Sequence, residues 1–108
     1  MTDSTMVEPV QGNAYIPTRL IRSHVLATRE IAVLLALAGR VDENNECELT
    51  QRTIASDSGC SVSTTQRALT DLEHKGLVVR EDRYHEHGGR APSLYRLEWG
   101  EYAPENQH

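Results

Sequence analysis

The fold is decided by residues 50–78, which read TQRTIASDSGCSVSTTQRALTDLEHKGLV. Thr50 is a typical N-terminal cap for a helix that continues to about residue 58 and has an apolar inner side. Gly59 interrupts the helical pattern. A second helix is predicted over Ser61–Lys75, after which a glycine can adopt the left-handed conformation that ends helices. The stretch therefore predicts two helices in close succession, joined by a short turn.

The second of these helices has two chemically different faces. At 100° per residue its inner face is aliphatic apart from one threonine, and it consists of Thr65, Ala68, Leu69 and Leu72. The outer face presents hydroxyl, amide, imidazole and guanidinium groups, from Ser63, Thr64, Gln66, Arg67, Thr70 and His74. Residues 61–70 contain no acidic residue, whereas a merely solvated face usually carries lysine and glutamate in quantity. Since such polar side chains hydrogen-bond base edges, this face is predicted to read DNA. The pattern Ser63-x-x-Gln66 also predicts a capping box near the start of the helix.

The chain upstream predicts two more helices. A short one over Pro17–Ser23 begins with proline, which is tolerated in a first helical turn. Thr28 is predicted to cap a leucine-rich helix that runs to Ala38 and stops at Gly39. Because that helix is apolar nearly all round, we expect it to be covered on two sides. It is either the central helix of the core or a helix shared with a second subunit.

Strands are predicted on both sides of the helix pair. An acidic, asparagine-rich turn leads into a short strand near Cys47–Leu49. After Gly76 the sequence becomes β-branched, and two glycines followed by a proline predict a turn at His85–Pro92. Apolar residues then alternate with charged ones over 95–99, which is typical of a half-buried strand. The C-terminal third is therefore predicted to form a β-hairpin.

Charge is the main objection to DNA binding. The formal net charge is −5, with 11 Lys and Arg against 16 Asp and Glu, and affinity for phosphate depends largely on basic side chains. All the basic residues lie between Arg19 and Arg96, a segment that also carries 11 acidic residues and is therefore neutral. Four of those acids cluster at 42–48. A modestly basic face is expected, with a solvated surface of mixed charge as the alternative.

Other classes of function lack support in the sequence. The longest apolar run, Ile31–Ala38, has eight residues, far fewer than the roughly 20 that span a bilayer. Two cysteines without metal-ligand spacing, and no N-terminal signal pattern, indicate a reducing cytoplasm. His85 and His87 lack further ligands for a metal, and no nucleophile or phosphate-binding motif indicates an enzyme. We therefore predict a cytoplasmic, non-enzymatic protein without metal, cofactor or evident small-molecule ligand.

The order of these elements resembles a known family. Residues 49–78 are similar to the winged helix-turn-helix pattern of bacterial, phage and plasmid regulators, most of all to small domains of plasmid and phage replication proteins. There too an Ile-Pro-x-x-Leu-Ile segment, here Ile16–Ile21, and a leucine-rich helix precede the motif. A Gly-Gly-Arg and Tyr-Arg-Leu wing follows it, here at 88–90 and 95–97. The resemblance implies an α+β winged helix-turn-helix fold, with a three-helix core, a short N-terminal helix and a C-terminal β-hairpin wing.

The sequence departs from the family pattern in two respects. Cys60 and Thr65 occupy positions that are usually aliphatic, although both side chains are small enough to be buried. The residues after the helix cap, 62–64, are often basic in the family but are neutral here. This difference lowers the expected affinity for phosphate and makes Arg67 the predicted dominant contact.

The predicted function is sequence-specific binding of double-stranded DNA, in a transcriptional regulator or a plasmid or phage maintenance factor (replication, partition or transfer). Helix 61–75 would read the major groove, and the wing, residues 80–92, would contact the backbone or the minor groove. Acidic residues in the wing oppose that second contact. The predicted DNA-contacting residues are Thr50, Gln51, Ser61, Ser63, Thr64, Gln66, Arg67, Thr70, Arg80, Arg83 and Arg90.

The expected assembly is a homodimer, because two-fold symmetry extends a short half-site. One domain is predicted over 15–100, between flexible segments at 1–14 and 101–108. The alternative function is a winged-helix adaptor of a replication complex that binds proteins without strong affinity for DNA, and the net acidity favours it. A ligand-gated repressor is a third hypothesis, but no effector domain accompanies the motif.

Overall fold

A computed structural model describes residues 14–104, except for the side chain of Arg90. The predicted flexible segment 1–14 therefore lies almost entirely outside the described residues. The elements are α1 (Thr18–Arg22), α2 (Thr28–Ala38), β1 (Glu46–Leu49), α3 (Gln51–Ser58), α4 (Val62–His74), β2 (Val78–Tyr84), β3 (Arg90–Leu97) and a 3-10 helix (Gly100–Tyr102). Helices α2, α3 and α4 pack on one another, and the strands form one antiparallel sheet. The predicted α+β winged helix-turn-helix fold is confirmed.

The two helices of the central motif begin and end where local chemistry places them. The Thr50 hydroxyl accepts a hydrogen bond from the Thr53 amide at 3.1 Å, and the Ser61 hydroxyl accepts one from the Thr64 amide at 3.0 Å. Gly59 has a φ of 74°, a left-handed conformation that glycine adopts without the steric cost of a Cβ. The capping box predicted at Ser63-x-x-Gln66 is wrong, because Ser61 is the N-cap and the side-chain amide of Gln66 is hydrogen-bonded to Gln51 of α3 instead.

Helix α2 begins at Thr28, the residue predicted to cap it, and therefore one residue earlier than expected. Thr28 is already helical, and the N-cap is Ala27, whose side chain carries no acceptor. Glu30 compensates, since its Oε1 accepts a hydrogen bond from the Ala27 amide at 3.0 Å. The same oxygen lies 2.8 Å from Nζ of Lys75 at the end of α4, so this carboxylate joins the start of one helix to the end of another.

The sheet has the strand order β1-β3-β2, which places β3 in the middle. The predicted hairpin is present, but β3 begins at Arg90, and the predicted turn at 85–92 is shorter than expected. Pro92 therefore lies inside a strand. It is tolerated there because the register shifts between Glu81 and Arg83, where two steps along β2 face three steps along β3, so Pro92 lies in a bulge of β3 itself. The strand ends at Leu97, two residues before the predicted end.

The core is aliphatic, with one tyrosine. Its fully buried members come from α1, all three packed helices and β3, and they are Leu20, Val33, Leu34, Leu37, Ile54, Ala68, Leu69, Leu72 and Tyr95. Helix α2 contacts α3, α4 and β3, which confirms that it is a central core helix. Its Leu35 nevertheless remains 43% exposed. The packing against α2 fixes the inner face of α4 and so determines which side chains of α4 face outward.

Ordered structure continues into the segment 101–108 for which flexibility is predicted. The 3-10 helix spans Gly100–Tyr102, and Trp99 and Tyr102 pack against the core. These aromatic rings bury apolar area beside α1, which explains why the chain does not separate from the domain at residue 100. Residues 105–108 lie outside the described part.

The described residues contain no helix long and apolar enough to cross a membrane.

Cys47 and Cys60 are both free thiols. Burial raises the pKa of Cys47 to about 11, so this thiol is protonated and unreactive at neutral pH. Within residues 14–104, no group of three or more potential ligands is arranged to hold a metal ion.

Candidate nucleic-acid interface

The exposed face of α4 has the composition predicted from the sequence. The four inner residues, Thr65, Ala68, Leu69 and Leu72, are all fully buried. The side chains on the opposite side that reach solvent are Ser63, Gln66, Arg67, Thr70 and His74. Because the inner residues lie against α2 and α3, the outer stripe is held on a rigid element, as a reading surface requires.

The acidic residues of α4 are turned away from this stripe. Asp71 lies 3.1 Å from Arg29 of α2, and the hydrogen bond from that guanidinium lowers the pKa of the carboxyl. Glu73 lies 3.0 Å from Nε of Arg80 in β2. Both carboxylates are thus neutralised by neighbouring elements. The outward stripe of α4 contains no acid to repel a phosphate backbone.

Arg67 is the formal positive charge at the centre of the stripe. It is exposed, and it forms no salt bridge or side-chain hydrogen bond among residues 14–104. At least six of the other cations are paired with carboxylates, namely Arg29, Arg40, Lys75, Arg80, Arg83 and Arg96. A guanidinium that is exposed and uncommitted is available to hydrogen-bond a guanine edge or a phosphate.

The other residues predicted to contact DNA differ in whether their side chains are already hydrogen-bonded within the protein. Gln66 donates from Nε2 to Oε1 of Gln51 at 2.9 Å, which joins the two helices of the motif through side chains on their exposed edge. Thr70 donates its hydroxyl to the backbone carbonyl of Gln66 at 3.0 Å. Thr50 and Ser61 act as helix caps. The side chain of Ser63 makes no hydrogen bond among residues 14–104. Gln66 is therefore oriented before any ligand arrives, which limits the rotamer entropy lost on binding.

The wing arginines are less available than the sequence predicts. Arg80 is enclosed, with 24% of its side chain exposed, and it faces two carboxylates. Arg83 pairs with Glu48 of β1 but remains 42% exposed. Arg90 begins β3, and its side chain lies outside the described part. Of the three, Arg80 is the one whose surroundings argue most clearly against a direct contact with DNA.

Within the helix-turn-helix motif, the prediction from sequence omitted one exposed cation, Arg52. It lies in the first turn of α3, next to Gln51, and it forms no salt bridge among residues 14–104. The helical period indicates that Arg52 is exposed, because Ile54 and Ala55 face inward and position 52 then falls on the outer side. Arg52 and Arg67 thus give the exposed side of α3 and α4 two cations that form no salt bridge among residues 14–104.

Thr65 is the polar residue on the inner face of α4, and its burial yields a stability prediction. The residue is fully buried, and its hydroxyl has no hydrogen-bond partner in the described part of the chain. Thr65→Val replaces this hydroxyl by a methyl group of similar size, so we expect stabilisation by about 1–2 kcal/mol. Urea unfolding followed by circular dichroism measures the change. Thr70→Val on the exposed face is the matched control, with an expected change of about 0.5 kcal/mol or less. A loss of stability in Thr65→Val contradicts the prediction.

Comparisons with known proteins agree with this fold. A sequence model of a helix-turn-helix domain matches residues 24–78, just over half of the chain. The chain therefore belongs to this helix-turn-helix domain family. A solved structure from Methanosarcina mazei Go1, described as a possible transcriptional regulator, is similar with a TM-score of 0.56 and 18% identity. The alignment covers 74% of this chain and 62% of that chain, and at this identity it shows a shared fold. Comparison with curated proteins found no match.

Proposed function

We propose that this protein binds double-stranded DNA in a sequence-specific manner and acts as a transcriptional regulator. In this proposal α4 enters the major groove, where Arg67 and Gln66 contact base edges. The observation that supports it best is the outward face of α4, which combines an uncommitted arginine with a fixed glutamine and contains no acid. The similarity to a solved structure described as a possible transcriptional regulator agrees with the proposal.

The wing has a secondary role in this proposal. Arg83 and Arg90 contact the backbone or the minor groove, and Thr50, Ser61, Ser63 and Thr64 meet phosphates near the helix starts, where backbone amides point outward. Arg52 adds a further cation at the start of α3. A homodimer extends the short site read by one domain. A plasmid or phage maintenance role remains a narrower form of the same proposal, supported by the sequence resemblance alone.

The test is selection of duplex DNA from a random pool, followed by fluorescence anisotropy at two salt concentrations. We expect one enriched motif and an affinity that falls as salt rises, because each neutralised phosphate releases counterions. A competing random duplex measures selectivity. A flat titration with the selected pool at low salt contradicts DNA binding.

A second function, a protein-binding adaptor, is favoured by a specific observation. The net charge is −5, and most of the described cations are already paired with carboxylates. An adaptor of this kind gives the flat titration just described and retains the fold. The same anisotropy experiment therefore decides between the two functions.

A further inference from the structure

A network of polar side chains lies between α4 and the wing. Nε of Arg80 in β2 lies 3.0 Å from Oε2 of Glu73 in α4 and 3.7 Å from Oδ1 of Asp82. The hydroxyl of Ser93 in β3 donates to the same Asp82 oxygen at 3.0 Å. Four side chains from three elements are thus connected at the base of the wing, with two carboxylates beside Arg80 and Ser93 bound to one of them.

This network lies at the base of the wing, where β2 and β3 extend beyond the end of β1. Strand β1 pairs with β3 only over Ser93–Arg96, so residues 83–91 extend past it. The bulge between Glu81 and Arg83 lies at the same level and weakens the strand pairing there. The direction of the wing relative to α4 is therefore not determined by strand pairing alone, and the contact between Arg80 and Glu73 supplies a direct side-chain link.

The surroundings of Arg80 favour support over DNA contact. Its side chain is only 24% exposed, and that of Glu73 is 26% exposed. Arg80 is also the cross-strand partner of the fully buried Tyr95, so its stem lies on the face of the sheet that covers the core. To reach a phosphate the guanidinium would have to leave both carboxylates. Arg83 differs, since it lies on the other face of the same strand, is half-exposed and pairs with Glu48.

We propose that Arg80 is a positioning residue, which fixes the wing against α4 by bridging Glu73 and Asp82. The proposal rests on the proposed function, because a fixed wing matters only to a protein that places helix and wing on one duplex. It assigns to Arg80 a role different from the direct contact predicted from the sequence. The consequence is that an acidic residue, Glu73, supports binding of a polyanion.

Glu73→Gln and Glu48→Gln form a matched pair of variants for the test. Each removes one negative charge beside a wing arginine, and charge alone predicts that both bind DNA more tightly. The positioning role predicts that Glu73→Gln weakens binding to the selected duplex by about fivefold or more. It also predicts a salt slope lower by about one for each wing–phosphate contact that is lost. Glu48→Gln is expected to keep the slope and at least the original affinity.

Hydrogen exchange of the free protein gives a second measurement that does not depend on DNA. Amides of residues 80–84, 91, 93 and 94 are expected to exchange faster in Glu73→Gln than in Glu48→Gln, with α2 and α4 unchanged. If the natural protein fails to bind DNA, the proposed function is wrong, whereas faster exchange still supports the link between α4 and the wing. Equal exchange and equal affinity in the two variants overturn the proposal. Arg80→Lys keeps the charge but loses the planar fork, and it serves as the test variant if Glu73→Gln unfolds.

Discussion

Arg67→Ala is expected to abolish most of the sequence selectivity of DNA binding and to leave the fold unchanged. Arg67 is exposed on α4 and forms no salt bridge within the described chain, so its removal breaks no internal contact. Loss of an arginine that contacts a guanine costs about 1–3 kcal/mol, or about 5- to 150-fold in affinity. The reduction should appear with the selected duplex and be much smaller with a random one.

Arg52→Ala is the matched control for this prediction. Arg52 is also exposed without an acidic partner among residues 14–104, but it lies at the start of α3, where helix-turn-helix proteins cross the DNA backbone. Its loss should weaken binding to both duplexes alike and lower the salt slope by about one. Retained selectivity in Arg67→Ala, with an unchanged melting temperature, would mean that the wing rather than α4 reads the sequence.

Glu30→Ala is expected to cause the largest loss of stability among the changes considered. The residue is only 3% exposed, and its carboxylate accepts hydrogen bonds from the Ala27 amide at 3.0 Å and from Nζ of Lys75 at 2.8 Å. Removal of one partner of a buried pair costs about 3–5 kcal/mol. Because Lys75 is 34% exposed and can turn to water, we expect about 2–3 kcal/mol here.

Thermal unfolding measures this loss, with an expected fall in melting temperature of about 10 °C or more. The control is Asp57→Ala, which removes an even shorter pair on the surface, in which the Asp57 carboxylate lies 2.5 Å from Nε of Arg40. An exposed pair of this kind contributes about 1 kcal/mol or less. Equal losses in the two variants would show that burial of Glu30 adds nothing to the link between α2 and α4.

The features predicted best from the sequence are those set by neighbours in the chain. Thr50, Gly59 and Ser61 act on groups within three residues, and their caps and turn lie where the residue types indicate. The inner face of α4 follows from helical periodicity in the same way. Thr28 was a good cap by residue type, yet Glu30 satisfies the first amide and shifts the helix start by one residue.

The features that the sequence could not provide depend on partners distant in the chain. Gln66 meets Gln51 across 15 positions, and residue type alone does not indicate that the two amides are joined. Arg80 and Arg83 carry the same charge, but Arg80 is enclosed by acids whereas Arg83 stays half-exposed. This difference arises only when β2 packs against α4. Pro92 indicates a turn by residue type, but a bulge of β3 at this position allows it to lie inside the strand.

A protein whose cations are largely committed to its own carboxylates dwells only briefly on DNA that lacks its site. At least six of the lysine and arginine side chains in residues 14–104 are occupied in this way, and the formal net charge of the chain is −5. Since attachment to random duplex depends on free cations, we expect non-specific binding of this protein to be weak at physiological ionic strength. Under the proposed function, we expect the protein to locate its target mainly by repeated three-dimensional encounters rather than by sliding along DNA.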